Sequence, residues 1–166
     1  MKKFLIAHPD HFTQRAIEVT LRDLHHNTAV AHDGLDAIDQ ALDDPPDAII
    51  LGTNLPGLNG VDVARAFRAL STTKQIPILF ITSDAADTAE VKQAGLSLID
   101  WVQLPLDLTR VRDQVTRLID TSAVSAAGQS FNLDRALSAI SDPLTGLYAR
   151  HYMLHRLAYE AARATR

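Results

Sequence analysis

Pro46-Asp47-Ala48-Ile49-Ile50-Leu51-Gly52-Thr53-Asn54-Leu55-Pro56-Gly57 is the stretch that decides the fold. Residues 48–51 are apolar without alternation and are closed by turn-forming residues. A strand wet on one face alternates in polarity, so an unbroken apolar run predicts a strand covered on both faces, as in a parallel sheet. Similar short runs stand at 4–7, 28–31 and 78–81, with a weaker one at 101–104. Between them the spacing is helical, over 12–24, 35–42, 61–70, 88–94 and 108–119. In the first of these Ile17, Leu21 and Leu24 share a face, while Arg15, Glu18 and Arg22 point elsewhere. Gly95 is a natural stop for the fourth. Five strands alternating with five helices predict an α/β fold, a doubly wound five-stranded parallel sheet with right-handed crossovers, ending near residue 120.

Composition narrows the function classes. The chain has 166 residues, 16 Lys and Arg against 20 Asp and Glu, a net charge of −4 and no cysteine. That balance offers no basic field for a nucleic-acid backbone, so no nucleic acid is expected as a partner. The lack of cysteine excludes disulfides, thiolate metal sites and a cysteine nucleophile. The apolar runs are too short to cross a bilayer, and Met1-Lys2-Lys3-Phe4-Leu5-Ile6-Ala7 reaches Pro9 too soon for a signal peptide. The expectation is a cytoplasmic protein without a membrane partner.

In a doubly wound sheet, ligands bind beyond the carboxyl ends of the strands, at the switch point between the first and third. The residues expected there are His8, Pro9 and Asp10 after the first strand, and Gly52, Thr53 and Asn54 after the third. Thr82 and Ser83 follow the fourth strand, and Leu104-Pro105 the fifth.

Residues 1–120 resemble the receiver domain of bacterial two-component response regulators. The matching stretches are Phe4-Leu5-Ile6-Ala7, Asp33-Gly34-Leu35-Asp36-Ala37, Pro46-Asp47-Ala48-Ile49-Ile50-Leu51 and Asn54-Leu55-Pro56-Gly57-Leu58-Asn59-Gly60. Ile76-Pro77-Ile78-Leu79-Phe80-Ile81-Thr82 and Leu104-Pro105-Leu106-Asp107 continue the series in order. The resemblance implies the flavodoxin-like strand order 2-1-3-4-5. It also implies phosphoryl transfer from a histidine kinase to an aspartate, assisted by magnesium. Such chemistry needs a carboxylate nucleophile, an acidic pair for the cation, and a hydroxyl and a lysine for the phosphoryl oxygens.

Carried over position by position, the resemblance puts Gly52 at the acceptor, His8 and Pro9 at the acidic pair, Thr82 at the hydroxyl and Leu104 at the lysine. Only Thr82 retains the required chemistry. The site is therefore degenerate, with no catalytic residue, no metal and no cofactor expected, and the domain reads as a pseudo-receiver. Trp101 falls at the family's switch aromatic and is read here as core. Pro105 stands where the family has a cis-proline turn, an isomer no sequence can show.

Residues 121–141 read as a linker followed by a signalling helix. Asp142-Pro143-Leu144-Thr145-Gly146-Leu147-Tyr148-Ala149-Arg150 is similar to the opening signature of GGDEF diguanylate cyclase domains. Asp142, Leu144, Thr145, Leu147 and Arg150 match it, whereas Ala149 replaces the usual Asn. Residues 142–166 are thus expected to be the N-terminal fragment of a GGDEF-like output domain, after a C-terminal helical extension of the sheet domain. The cyclase catalytic residues are absent, so this chain is not expected to be an enzyme.

Weaker signals are weighed against plainer readings. His8, Asp10 and His11 could form a transition-metal site, but Asp10 and His11 read better as caps of the first helix. His151 and His155 are four apart, without a third ligand. Arg110, Arg112, Asp113 and Arg117 read as a solvated face, with ion pairs between subunits as the sharper alternative. The expected function is regulation of an attached cyclase by a non-catalytic module. The partners expected are a second copy, joined through the receiver surface and the signalling helix, and a partner protein or small ligand at the vacant crevice. A phosphorelay receiver with a non-standard acceptor and a stand-alone dimerisation scaffold are the alternatives.

Overall fold

The structure is a computed structural model that describes residues 1–122. Five parallel strands, β1 (Lys3–Ala7), β2 (Asn27–Ala31), β3 (Ala48–Gly52), β4 (Ile78–Thr82) and β5 (Ile99–Gln103), form one sheet in the order β2-β1-β3-β4-β5. Five helices connect and follow them: α1 (His11–Asp23), α2 (Gly34–Asp43), α3 (Gly60–Ala69), α4 (Ala85–Gln93) and α5 (Leu108–Ser122). This is the expected doubly wound fold, with its switch point between β1 and β3.

Period-two alternation divides the strand side chains between two cores. Phe4, Ile6, Ile50, Leu79 and Ile81 pack with Ile17, Leu21, Val111 and Val115 of α1 and α5. Leu5, Ala7, Ile49, Leu51 and Phe80 pack on the other face with Ile38, Val63, Phe67 and Val91 of α2 to α4. Each such large side chain contributes about 1.5–3 kcal/mol on burial. The helices enter through side-chain caps: Asp10, Asp33, Asn59 and Asp84 accept from backbone N–H groups in the first turn, and Asp107 accepts from Thr109 and Arg110.

Three expected element bounds are corrected. α4 begins at Ala85 rather than residue 88, because Asp84 caps the amides of Ala86 and Asp87 where no apolar periodicity signals a helix. β5 spans Ile99–Gln103 rather than 101–104, which leaves Leu104 just after the strand, as expected of a residue at the crevice. Glu18, off the apolar face of α1, is nevertheless buried, with its two carboxylate oxygens each 2.6 Å from a guanidinium nitrogen, of Arg15 and of Arg22. Flanking by two cations permits a carboxylate at low exposure. α5 also runs to Ser122, past the expected boundary.

Register brings the strand ends together. Ala7 pairs with Leu51, Gly52 with Ile81, and Thr82 with Gln103. The residues that follow β1, β3 and β4 therefore converge on one edge of the sheet.

Candidate functional site

His8 leaves β1 at this edge and is only 7% exposed. Its ring Nδ1 lies 3.0 Å from the Asp10 amide nitrogen and accepts that proton, which leaves the ring hydrogen on Nε2. Burial holds the imidazole below its ordinary pKa of 6.5, against the opposing pull of the Asp10 carbonyl and carboxylate. His8 is thus a neutral, inward-turned ring.

That ring covers Gly52. A Cβ at position 52 would stand 2.9 Å from His8 Cδ2 and 3.0 Å from Pro9 Cδ, closer than carbon atoms pack. The crevice expected to be vacant is filled at this point by His8 and Pro9. Gly52 also abuts the start of α3. A Cβ on Gly60 would collide with the Gly52 carbonyl oxygen, while the Gly60 amide donates to the Thr53 carbonyl at 2.7 Å.

Magnesium requires oxygen ligands in near-octahedral array, and acyl phosphate formation requires a carboxylate. Position 8 supplies an imidazole whose Nδ1 is taken, position 9 a proline and position 52 no side chain. The nearby carboxylate of Asp10 is committed to α1. Its Oδ2 accepts from the Thr13 amide at 2.8 Å and the Thr13 hydroxyl at 2.6 Å, bonds that keep its pKa below 3.8. Asp10 is the helix cap, and His11 is the first helical residue. Among the described residues no group of three or more His, Asp or Glu side chains is placed to hold a metal ion. The residues here do not fit magnesium, nor a phosphoryl group on residue 52.

Thr82, at the end of β4, is fully buried. Its hydroxyl lies 2.8 Å from that of Thr88, which itself donates to the Asp84 carbonyl at 2.9 Å, so Thr82 is the donor of the pair. Beside it, Asp87 Oδ2 collects three donors: the Thr53 hydroxyl at 2.9 Å, the Asn54 amide at 3.2 Å and the Ser83 backbone N–H at 3.0 Å. Desolvation pushes the Asp87 carboxyl up, but the bonds from Ser83, Thr53 and Asn54 outweigh it and hold the pKa below 3.8. Sequence reasoning missed Asp87 and Thr88. The signal was available in the spacing Ser83-Asp84 followed three and four residues later by Asp87 and Thr88, a helix-entry pattern.

Leu104 is half-buried against the α1/α5 core, with its amide donating to the Thr82 carbonyl at 2.8 Å. The Leu104–Pro105 peptide is cis. Trp101 is half-buried against the opposite core, with the Lys92 ammonium 4.9 Å from its ring centroid. The site thus gathers His8, Pro9, Gly52 and Thr82, while Leu104 and Trp101 belong to its flank. Asp142, Leu144, Thr145, Leu147, Arg150, His151 and His155 lie outside the described residues. No helix among the described residues is long and apolar enough to cross a membrane.

Comparison with known proteins agrees with the fold. Residues 4–116 match the response regulator receiver domain family, and the chain belongs to it. It is 28% identical over 145 residues to the response regulator MprA of Mycobacterium bovis, covering 86% of this chain and 61% of that protein. It is 29% identical over 119 residues to the chemotaxis protein CheY of Pseudomonas aeruginosa, covering 71% of this chain and 96% of CheY. Among solved structures, a response regulator from Chloroflexus aurantiacus superposes with a TM-score of 0.67 at 26% identity, over 72% of this chain and 98% of that one. A receiver domain of a Pseudomonas aeruginosa sensor histidine kinase, with magnesium coordinated in its active-site cleft, gives a TM-score of 0.66 at 26% identity, over 72% of this chain and 98% of that one. The chain spans less than two thirds of the length of the MprA regulators it matches.

Proposed function

We propose that this receiver domain is a pseudo-receiver, a regulatory module not switched by aspartyl phosphate. The observation that carries the reading is at position 52, where there is no carboxylate and the space for one is taken by His8 and Pro9. The module, residues 1–120, acts through the linker and signalling helix at 121–141. It controls an output domain that begins near residue 142 and is a diguanylate cyclase in the longer protein. Control passes through dimerisation of the receiver surface and the signalling helix, without chemistry in the receiver. The support for the cyclase is the Asp142, Leu144, Thr145, Leu147 and Arg150 signature.

The test of the receiver half is incubation with acetyl phosphate and magnesium, followed by intact-mass measurement. No phosphoryl adduct is expected; a stable, magnesium-dependent adduct returns the domain to the phosphorelay class. The output half is tested by extending the coding sequence downstream and assaying the longer protein for cyclic di-GMP synthesis from GTP. A continuation without a GGDEF domain removes it.

A further inference from the structure

α4 is the least anchored helix of the domain. Of its nine residues only Thr88 and Val91 are buried, so apolar packing holds it at a single side chain. Glu90 also accepts from the Asn59 amide at 3.1 Å and the Lys92 ammonium lies over Trp101, while the ties to the loops at the strand ends are polar and come from two neighbours. The Thr88 hydroxyl receives Thr82, and the Asp87 carboxylate receives Thr53, Asn54 and Ser83. Asp87 thereby bridges the loop after β3 to the loop after β4 through one oxygen atom.

We propose that Asp87 is a permanent internal anion that latches the loop between β4 and α4 onto the end of β3, holding the domain in one conformation. The inference rests on the pseudo-receiver reading and deepens it. A domain of this family gains negative charge at its strand ends when an acceptor there is phosphorylated, and this chain carries that charge within its own α4. The three donors are chemically those an oxyanion attracts, a backbone N–H, a hydroxyl and a primary amide, and bonds to an ionised acceptor are the stronger class. Thr82 is engaged by Thr88 at the same time, so its hydroxyl is not available to an incoming anion.

The test is residue-resolved amide exchange on the full chain with Asp87→Ala and Asp87→Asn. Loss of the charge-assisted bond is expected to speed Ser83 amide exchange at least about tenfold in the alanine variant, and by a smaller, resolved factor in the asparagine variant. The β1 and β3 amides should keep their wild-type rates. Unchanged Ser83 exchange in Asp87→Asn overturns the proposal, because an anion is then not needed. Acceleration shared equally by the β1 amides also overturns it, because Asp87 then serves only global stability. Either result can occur with no phosphoryl adduct in the mass experiment, so failure of the latch is distinct from failure of the pseudo-receiver reading.

Discussion

His8 and Gly52 occupy one another's space: the imidazole Cδ2 lies 2.9 Å from where any side chain at position 52 would have to begin. Histidine at 8 and glycine at 52 are a matched pair. Gly52→Ala is expected to destabilise the domain by about 1–3 kcal/mol in urea unfolding, the usual cost of overpacking a core. His8→Ala should relieve part of that cost, so the double variant should lose less than the two single losses added together. Strict additivity would show that the contact is not the cause.

Gly60 faces a harder neighbour. Its absent Cβ would meet the Gly52 carbonyl, and backbone cannot rotate aside as a ring can. Gly60→Ala should therefore cost more than Gly52→Ala, about 3 kcal/mol or above, since the α3 entry must move. The comparison of the two urea midpoints checks the order.

The buried hydroxyl pair Thr82–Thr88 predicts a characteristic cycle. Thr88→Val removes the acceptor of Thr82 and the donor to Asp84, and should cost about 1–3 kcal/mol because a buried hydroxyl is left unpaired. Changing both residues to valine should cost less than the sum of the single changes. A double variant as damaged as the sum would mean the pair is not coupled.

Stability should fall with acid in two windows. His8 titrates below its ordinary 6.5 because it is buried, so below that pH the unfolded chain binds a proton the folded chain resists. Stability from this source is complete above about pH 6.5 and declines as pH falls toward the depressed value. His26, also lowered by burial, adds in the same direction. Asp10 and Asp87 are depressed carboxylates, whose contribution is present above 3.8 and is lost as pH falls below it. His8→Gln should flatten only the upper window of a urea-midpoint series against pH.

Trp101 is the chain's single tryptophan, which makes it a clean reporter beside the site. Magnesium at millimolar concentration should leave its emission unchanged, since residues 8, 9 and 52 offer no carboxylate. Lys92→Met should shift the emission by removing the ammonium from the ring face. A saturable magnesium response would show instead that this edge of the sheet does hold the cation.

Much of this molecule was legible in its pattern of side chains. Ala48, Ile49, Ile50 and Leu51 announced a strand covered on both faces because burial leaves no wet side to alternate. That Gly52 and Pro9 carry no carboxylate and Leu104 no ammonium was equally plain, since it depends on residue type alone. Asp87 was not legible, because its role rests on donors more than thirty residues away in Thr53 and Asn54. The burial of Glu18 was not legible either: helical spacing describes the direction of a side chain, not what the neighbouring elements and two flanking arginines do to it.

Local rules thus settled the alternation of five strands with five helices, the Asp10 cap and the lack of a carboxylate at 8, 9 and 52, because each follows from one residue and its near neighbours in the chain. Whether the place of those carboxylates stood open or closed could not follow from such rules. That depended on the register of β1 against β3, which sets His8 and Pro9 over Gly52, and on the approach of α4 to both loops. Such contacts join residues distant along the chain, and their distances exist only once the sheet has assembled.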